Sequence, residues 1–116
     1  MKILLAAISL LVSFNACAQP TTKQFDQAPA TEKEMFNGFL FGVGSAYLIA
    51  NQALISKGLA PFYCQPASEE LGYKQYQDFL KAEIKAEKQL QNKWFYENTP
   101  IAYALLQHLE KAFPCK

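Results

Sequence analysis

The sequence predicts a small all-α fold, a bundle of about three to five helices closed by one disulfide. Three observations predict it. Apolar residues recur at helical spacing in three long segments, each bounded by capping or breaking residues. No segment alternates apolar and polar residues as a half-buried strand would. Cysteines also fall at two predicted helix boundaries, Cys64 and Cys115.

The first eighteen residues read as an export signal. Met1-Lys2 supplies a positive start, and Ile3 to Phe14 is apolar apart from Ser9 and Ser13. Ala16 and Ala18 then give the small-x-small pattern of a cleavage site. The run is shorter than the ~20 residues needed to cross a bilayer. Cys17 follows Ala16 and keeps a lipid-anchored form open, but Phe14 and Asn15 fit that form poorly. Residues 1–18 are therefore read as a signal peptide, 19–30 as a flexible polar leader with Pro20 and Pro29, and 31–116 as the helical domain.

The chain has three cysteines, an awkward number for pairing. Removing Cys17 with the signal leaves Cys64 and Cys115, an even pair in an oxidising compartment. Their bond staples a domain too small to rely on a large core.

Thr31-Glu32-Lys33-Glu34 has the form of a capping box opening the first long helix, which runs to about Lys57 and stops at Gly58. That segment is apolar most of the way round, so it is expected to be the central, buried helix. Gly38, Gly42, Ala46 and Ala50 recur every four residues and are expected to form a close-packing face for another helix. A second helix begins near Ser68 to Leu71. Its apolar stripe includes Tyr73, Tyr76, Leu80 and Ile84, and its solvated face mixes Asp78, Lys81, Glu83, Lys85, Glu87 and Lys88. It is expected to end or bend near Gln89 to Lys93. Thr99-Pro100 opens the last helix, and Pro114 stops it beside Cys115.

Little in the sequence points to catalysis. His108 is the one histidine and reads as an ordinary helix residue. No Cys/His/Asp/Glu cluster has metal-ligand spacing, and no Gly-rich phosphate loop follows a strand. Neither a metal nor a cofactor is expected, and the chain is read as a non-enzyme. It has 11 Lys and 10 acidic residues, no Arg and no basic stripe, which argues against nucleic acid as a partner. No second apolar run is expected to reach membrane length after residue 18, and Glu32, Glu34, Asn37, Asn51 and Gln52 argue against reading the small-residue face as that of a membrane helix. Aromatic residues in two loops are the strongest binding signal. Phe62 and Tyr63 flank Cys64, and Trp94, Phe95 and Tyr96 precede the last helix. Such residues are favoured anchors at protein interfaces, although they equally suit the ends of a helical core.

Three blocks of the chain resemble the Rap/Tai family of type VI secretion immunity proteins. They are Phe39-Leu40-Phe41-Gly42-Val43-Gly44-Ser45-Ala46; Tyr63-Cys64-Gln65-Pro66 with Leu71-Gly72 and Phe79-Leu80; and Leu105-Leu106 leading to Ala112-Phe113-Pro114-Cys115. The terminal Ala-Phe-Pro-Cys paired with an upstream Cys-x-Pro is the most specific element. The chain departs from the family in lacking extra cysteines near the first helix and in a longer segment from Lys81 to Asn98. The resemblance implies a periplasmic helical protein that binds and blocks a peptidoglycan amidase toxin and does no chemistry itself. A periplasmic acid-stress or holdase-type chaperone of the HdeA kind is the competing expectation, and a homodimer is a further form left open.

Overall fold

The computed structural model describes residues 19–116, so the expected signal peptide lies outside the described residues. Five helices follow in order: α1 Thr22–Gln27, α2 Ala30–Ser56, α3 Tyr73–Gln89, α4 Lys93–Asn98 and α5 Ile101–Ala112. There is no strand among the described residues; a single isolated bridge joins Thr21 to Pro100. The fold is all-α and closed by the Cys64–Cys115 disulfide, whose Cα atoms lie 5.0 Å apart.

The core forms where α3 and α5 meet each other and the inner face of α2. Tyr76, Leu80 and Ile84 of α3 are buried against Ile101, Ala104, Leu105 and Leu109 of α5. These positions are three and four residues apart, so each helix presents one continuous apolar stripe. Leu40 is the largest core contribution of α2, and the Tyr47 hydroxyl donates to the Ala102 carbonyl of α5 at 2.6 Å.

The expected flexible leader is instead part of the fold. Thr21 caps α1: its hydroxyl accepts from the Gln24 amide at 3.3 Å, and the Gln24 side chain accepts from the Thr21 amide at 2.9 Å. The capping box expected at Thr31 is absent: the long helix α2 starts from Pro29 with no side-chain cap, because the chain is already turned into it by the end of α1. Phe25 and Thr22 are fully buried, and Phe25 meets Phe36 of α2 edge-on at 5.4 Å. Two backbone bonds hold the segment beside the start of α5, from the Thr22 amide to the Thr99 carbonyl and from the Ile101 amide to the Pro20 carbonyl.

The first long helix is also not the buried centre. Only Leu40, Gly44 and Asn51 of α2 are buried, while Met35 is 80% and Ile49 71% exposed. Contrary to the expectation that no second apolar run reaches membrane length, helix α2 is long and apolar enough to span a membrane by length and composition alone, its polar residues being too few to lower the average. Its inner face, however, is committed to α3 and α5.

The expected close-packing face at Gly38, Gly42, Ala46 and Ala50 is not where the helices approach. A Cβ at Gly38 or Gly42 would meet nothing within 4 Å, Ala46 is exposed, and Ala50 is only half-buried. The close approach is at Gly44, where a Cβ would lie 2.2 Å from Cζ of Tyr76. The Tyr76 ring occupies the space that any side chain at position 44 would need. Gly44→Ala is therefore expected to destabilise the protein by ~1–3 kcal/mol through overpacking. Gly42→Ala gains helix propensity at an open site and is expected to be neutral or to stabilise by up to ~1 kcal/mol. Thermal melts of the two variants side by side check this; equal effects would contradict the packing.

Candidate protein-binding surface

Helix α2 ends at Gly58, whose φ of 72° lets the chain reverse with the Leu59 amide bonded to the Leu54 carbonyl. The following loop, residues 59–72, is anchored from two sides. On one side Asn51, buried in α2, holds the loop backbone: its Nδ2 donates to the Tyr63 carbonyl at 3.1 Å, and its Oδ1 accepts from the Phe62 amide at 2.9 Å. On the other side the Cys64 amide donates to the Phe113 carbonyl at 2.8 Å beside the disulfide. A loop held by side chain, backbone and covalent bond is a rigid platform rather than a tether.

This anchoring separates the two aromatic neighbours. Tyr63 points inward, is 1% exposed and packs near the Phe113 ring. Its hydroxyl has no hydrogen-bond partner in the fold. Burial, reinforced by the nearby Tyr76 and Tyr47, pushes its phenol up to about 12. Phe62 points outward and is half exposed. Two shallow clefts flank the loop. One of about 510 Å³ lies between Phe41, Ser45 and Leu48 of α2 and Gln65, Pro66 and Leu71. The other, about 230 Å³, lies between Leu48, Asn51, Gln52 and Ile55 and the loop residues Pro61, Tyr63, Cys64 and Gln65.

The second aromatic group is split in the same way. Helix α3 stops at Gln89, as the fading stripe predicts, and Gln91 adopts a positive φ of 56° in the turn. Asn92 caps α4 through the Phe95 amide. Phe95 is then buried, and its carbonyl and that of Tyr96 both accept from the buried Thr22 hydroxyl. Tyr96 is partly buried and donates to Asp26 at 2.7 Å. Burial and the neighbouring Asp26 push the Tyr96 phenol up to about 12. Partial burial works to raise the Asp26 carboxyl, but the Tyr96 bond and Lys88 outweigh it and hold the group below its ordinary value. Trp94 is 72% exposed. Of the five aromatic candidates, Phe62 and Trp94 remain available to a partner, while Tyr63 and Phe95 are corrected to core residues and Tyr96 to a tether for α1.

The mixed solvated face expected on α3 is also resolved differently. Glu83 is 1% exposed and lies between Lys111 at 2.6 Å and His108 at 3.3 Å, both from α5. His108 stacks on Phe79, with centroids 4.9 Å apart. Glu87 is buried as well, within 3.3 Å of the Asn92 amide group. Both carboxylates face inward, so the outer face of α3 carries Lys74, Lys81, Lys85 and Lys88 with Asp78 as its one acid. Helical spacing could have revealed this, because positions 76, 80, 83, 84 and 87 share a face. Among the described residues, no group of three or more His, Cys, Asp or Glu is placed to hold a metal ion.

The chain matches no protein-family model, no curated protein and no solved structure.

Two measurements check this geometry. Reducing Cys64–Cys115, which are 51 residues apart, is expected to cost ~4 kcal/mol in the chain-entropy model, seen as a large drop in melting temperature with reductant. Alkaline titration probes Tyr63. Its phenol ionises near 10 when unfolded and about 12 when folded, so the unfolded chain releases its proton first. Stability is therefore intact below pH ~10 and falls as pH rises towards 12. Tyr63→Phe is expected to be neutral or stabilising at pH 7, since it deletes an unpaired buried hydroxyl, and to reduce that alkaline loss.

Proposed function

We propose that this protein is an exported, non-enzymatic binding module that neutralises a peptidoglycan amidase toxin by covering its active site. The observation that carries this reading is the loop around Cys64. It is stiffened by Asn51 and the disulfide and presents Phe62 to solvent, while Gln65 of the same loop lines two shallow clefts. Plugging a concave active site favours a rigid protrusion, because little ordering entropy is then lost on binding. The sequence resemblance to the Rap/Tai immunity proteins supplies the class of partner, and the disulfide is compatible with an oxidising compartment such as the periplasm. Phe62 serves as the primary anchor and Trp94 as a second contact on a separate element.

One observation favours the holdase reading. Helix α2 exposes a broad apolar surface of the kind that captures unfolded chains. A holdase of that kind would suppress aggregation of unrelated proteins and would not discriminate among amidases.

The test is co-expression, in the export compartment, with the cell-wall amidase encoded nearest to this chain's gene. Growth rescue and a stable complex by size exclusion are expected. Phe62→Ala should weaken the complex by ~2 kcal/mol or more while leaving the melting temperature unchanged. Trp94→Ala is expected to have a smaller effect in the same direction. Absence of both rescue and complex would refute the amidase reading. Binding insensitive to Phe62 would move the interface off the loop.

A further inference from the structure

The two clefts beside the loop share Leu48 and Gln65, so together they form one trough that follows α2. Phe41, Leu48 and Ile55 make its helical wall. Their regular spacing puts each two turns beyond the last on one face of the helix, over ~21 Å at ~1.5 Å per residue. All three are large apolar side chains, and all three are exposed. Pro61, Pro66 and Leu71 line the opposite side, on the loop held by Asn51 and the disulfide. An apolar trough with a rigid wall has the form of a preorganised recognition site.

The charge of this trough has one sign. No Lys or His lines either cleft, whereas Glu69 and Glu70 line the larger one beside Phe41. Glu34, exposed on the same face of α2 two turns before Phe41, extends the acidic end. None of the three carboxylates has an ion-pair partner among the described residues. Where the clefts join, Gln65 spends its Nε2 on the Glu69 carbonyl at 2.6 Å, while its Oε1 is buried with no hydrogen-bond partner. An entering chain thus meets apolar side chains along the trough, an unsatisfied acceptor at its middle and negative charge at one end.

We propose that the trough is a docking site for a short linear segment of a protein partner, with apolar side chains along its length and lysine or arginine at the end that meets Glu69 and Glu70. Charge complementarity selects this occupant over an acidic one. About six residues in extended form, at ~3.3 Å each, span the wall from Phe41 to Ile55. An N–H group of the segment that reaches Gln65 Oε1 satisfies an acceptor that the fold leaves bare. The site is separate from Phe62, which lines neither cleft. It requires no particular activity of the partner and stands whether or not that partner is an amidase.

The test begins with a random dodecapeptide display library panned against the purified, oxidised chain. Selected peptides should carry lysine or arginine beside large apolar residues. One of them, synthesised with a fluorescent label, should bind roughly tenfold or more weakly to Leu48→Lys, and likewise to Glu69→Lys combined with Glu70→Lys. All three positions are exposed, so both variants should melt with the parent. If Leu48→Lys fails to fold, Gln52→Lys, exposed on the same wall, repeats the measurement. Glu110→Lys is exposed on α5 and lines neither cleft, so it should leave the affinity unchanged. Phe62→Ala should also leave it unchanged, which separates this site from the anchor assigned to the amidase. Absence of enrichment, or enrichment of acidic peptides, would overturn the proposal. So would binding indifferent to the trough variants, or binding lost equally in Glu110→Lys or Phe62→Ala.

Discussion

A single buried amide, Asn51, sets the relation between the long helix and everything that follows it. Asn51 uses both ends of its side chain on two consecutive residues of the loop, so the loop cannot slide along α2 without breaking two hydrogen bonds to a buried side chain. The position of Cys64 follows from that registration, and with it the disulfide to Cys115 and the docking of the end of α5. Tyr63 is driven into the core by the same geometry. The loop is thus specified by polar contacts in a molecule whose helices are otherwise held by apolar ones.

The interior is built around two helices of ordinary amphipathic pattern, and the longest helix is attached to them by one side. Gly44 makes this attachment possible, because the Tyr76 ring lies where a side chain would otherwise stand. The other glycines of α2 face outward. Helix propensity is lost at three positions in one helix, yet only one of those losses is explained by packing within the monomer.

Much of this architecture was legible in the sequence, and the failures have identifiable causes. The disulfide followed from cysteine parity, the end of α2 from Gly58, and the start of α5 from Thr99-Pro100 to within a residue, although Pro100 rather than Thr99 is its cap. Helix α1 was not legible because it has six residues and one large apolar side chain, Phe25. Its one local signal is the Thr21-x-x-Gln24 capping box, and the rest of its order comes from tertiary contacts. The burial of α2 was misread because a segment apolar on every side has no preferred face, so periodicity cannot say which side is inward. For the aromatic pairs, adjacent residues leave the chain in different directions. Phe62-Tyr63 and Trp94-Phe95 each divide into one exposed and one buried ring, and a sequence alone does not say which is which.

The inward turn of Glu83 and Glu87 has an electrical consequence. Lysines and carboxylates nearly balance over the whole chain, with a formal net charge of +1. On α3, however, the two acids face inward, Glu83 onto Lys111 and His108 and Glu87 onto the Asn92 amide, while Lys74, Lys81 and Lys85 stand in solvent without an ion-pair partner among the described residues. The molecule therefore presents a local positive potential that its overall charge conceals. An approaching acidic surface would be steered toward this ridge over a distance set by the Debye length, about 8 Å in physiological salt. Encounter rates with such a surface would consequently respond to ionic strength even though the protein is close to neutral.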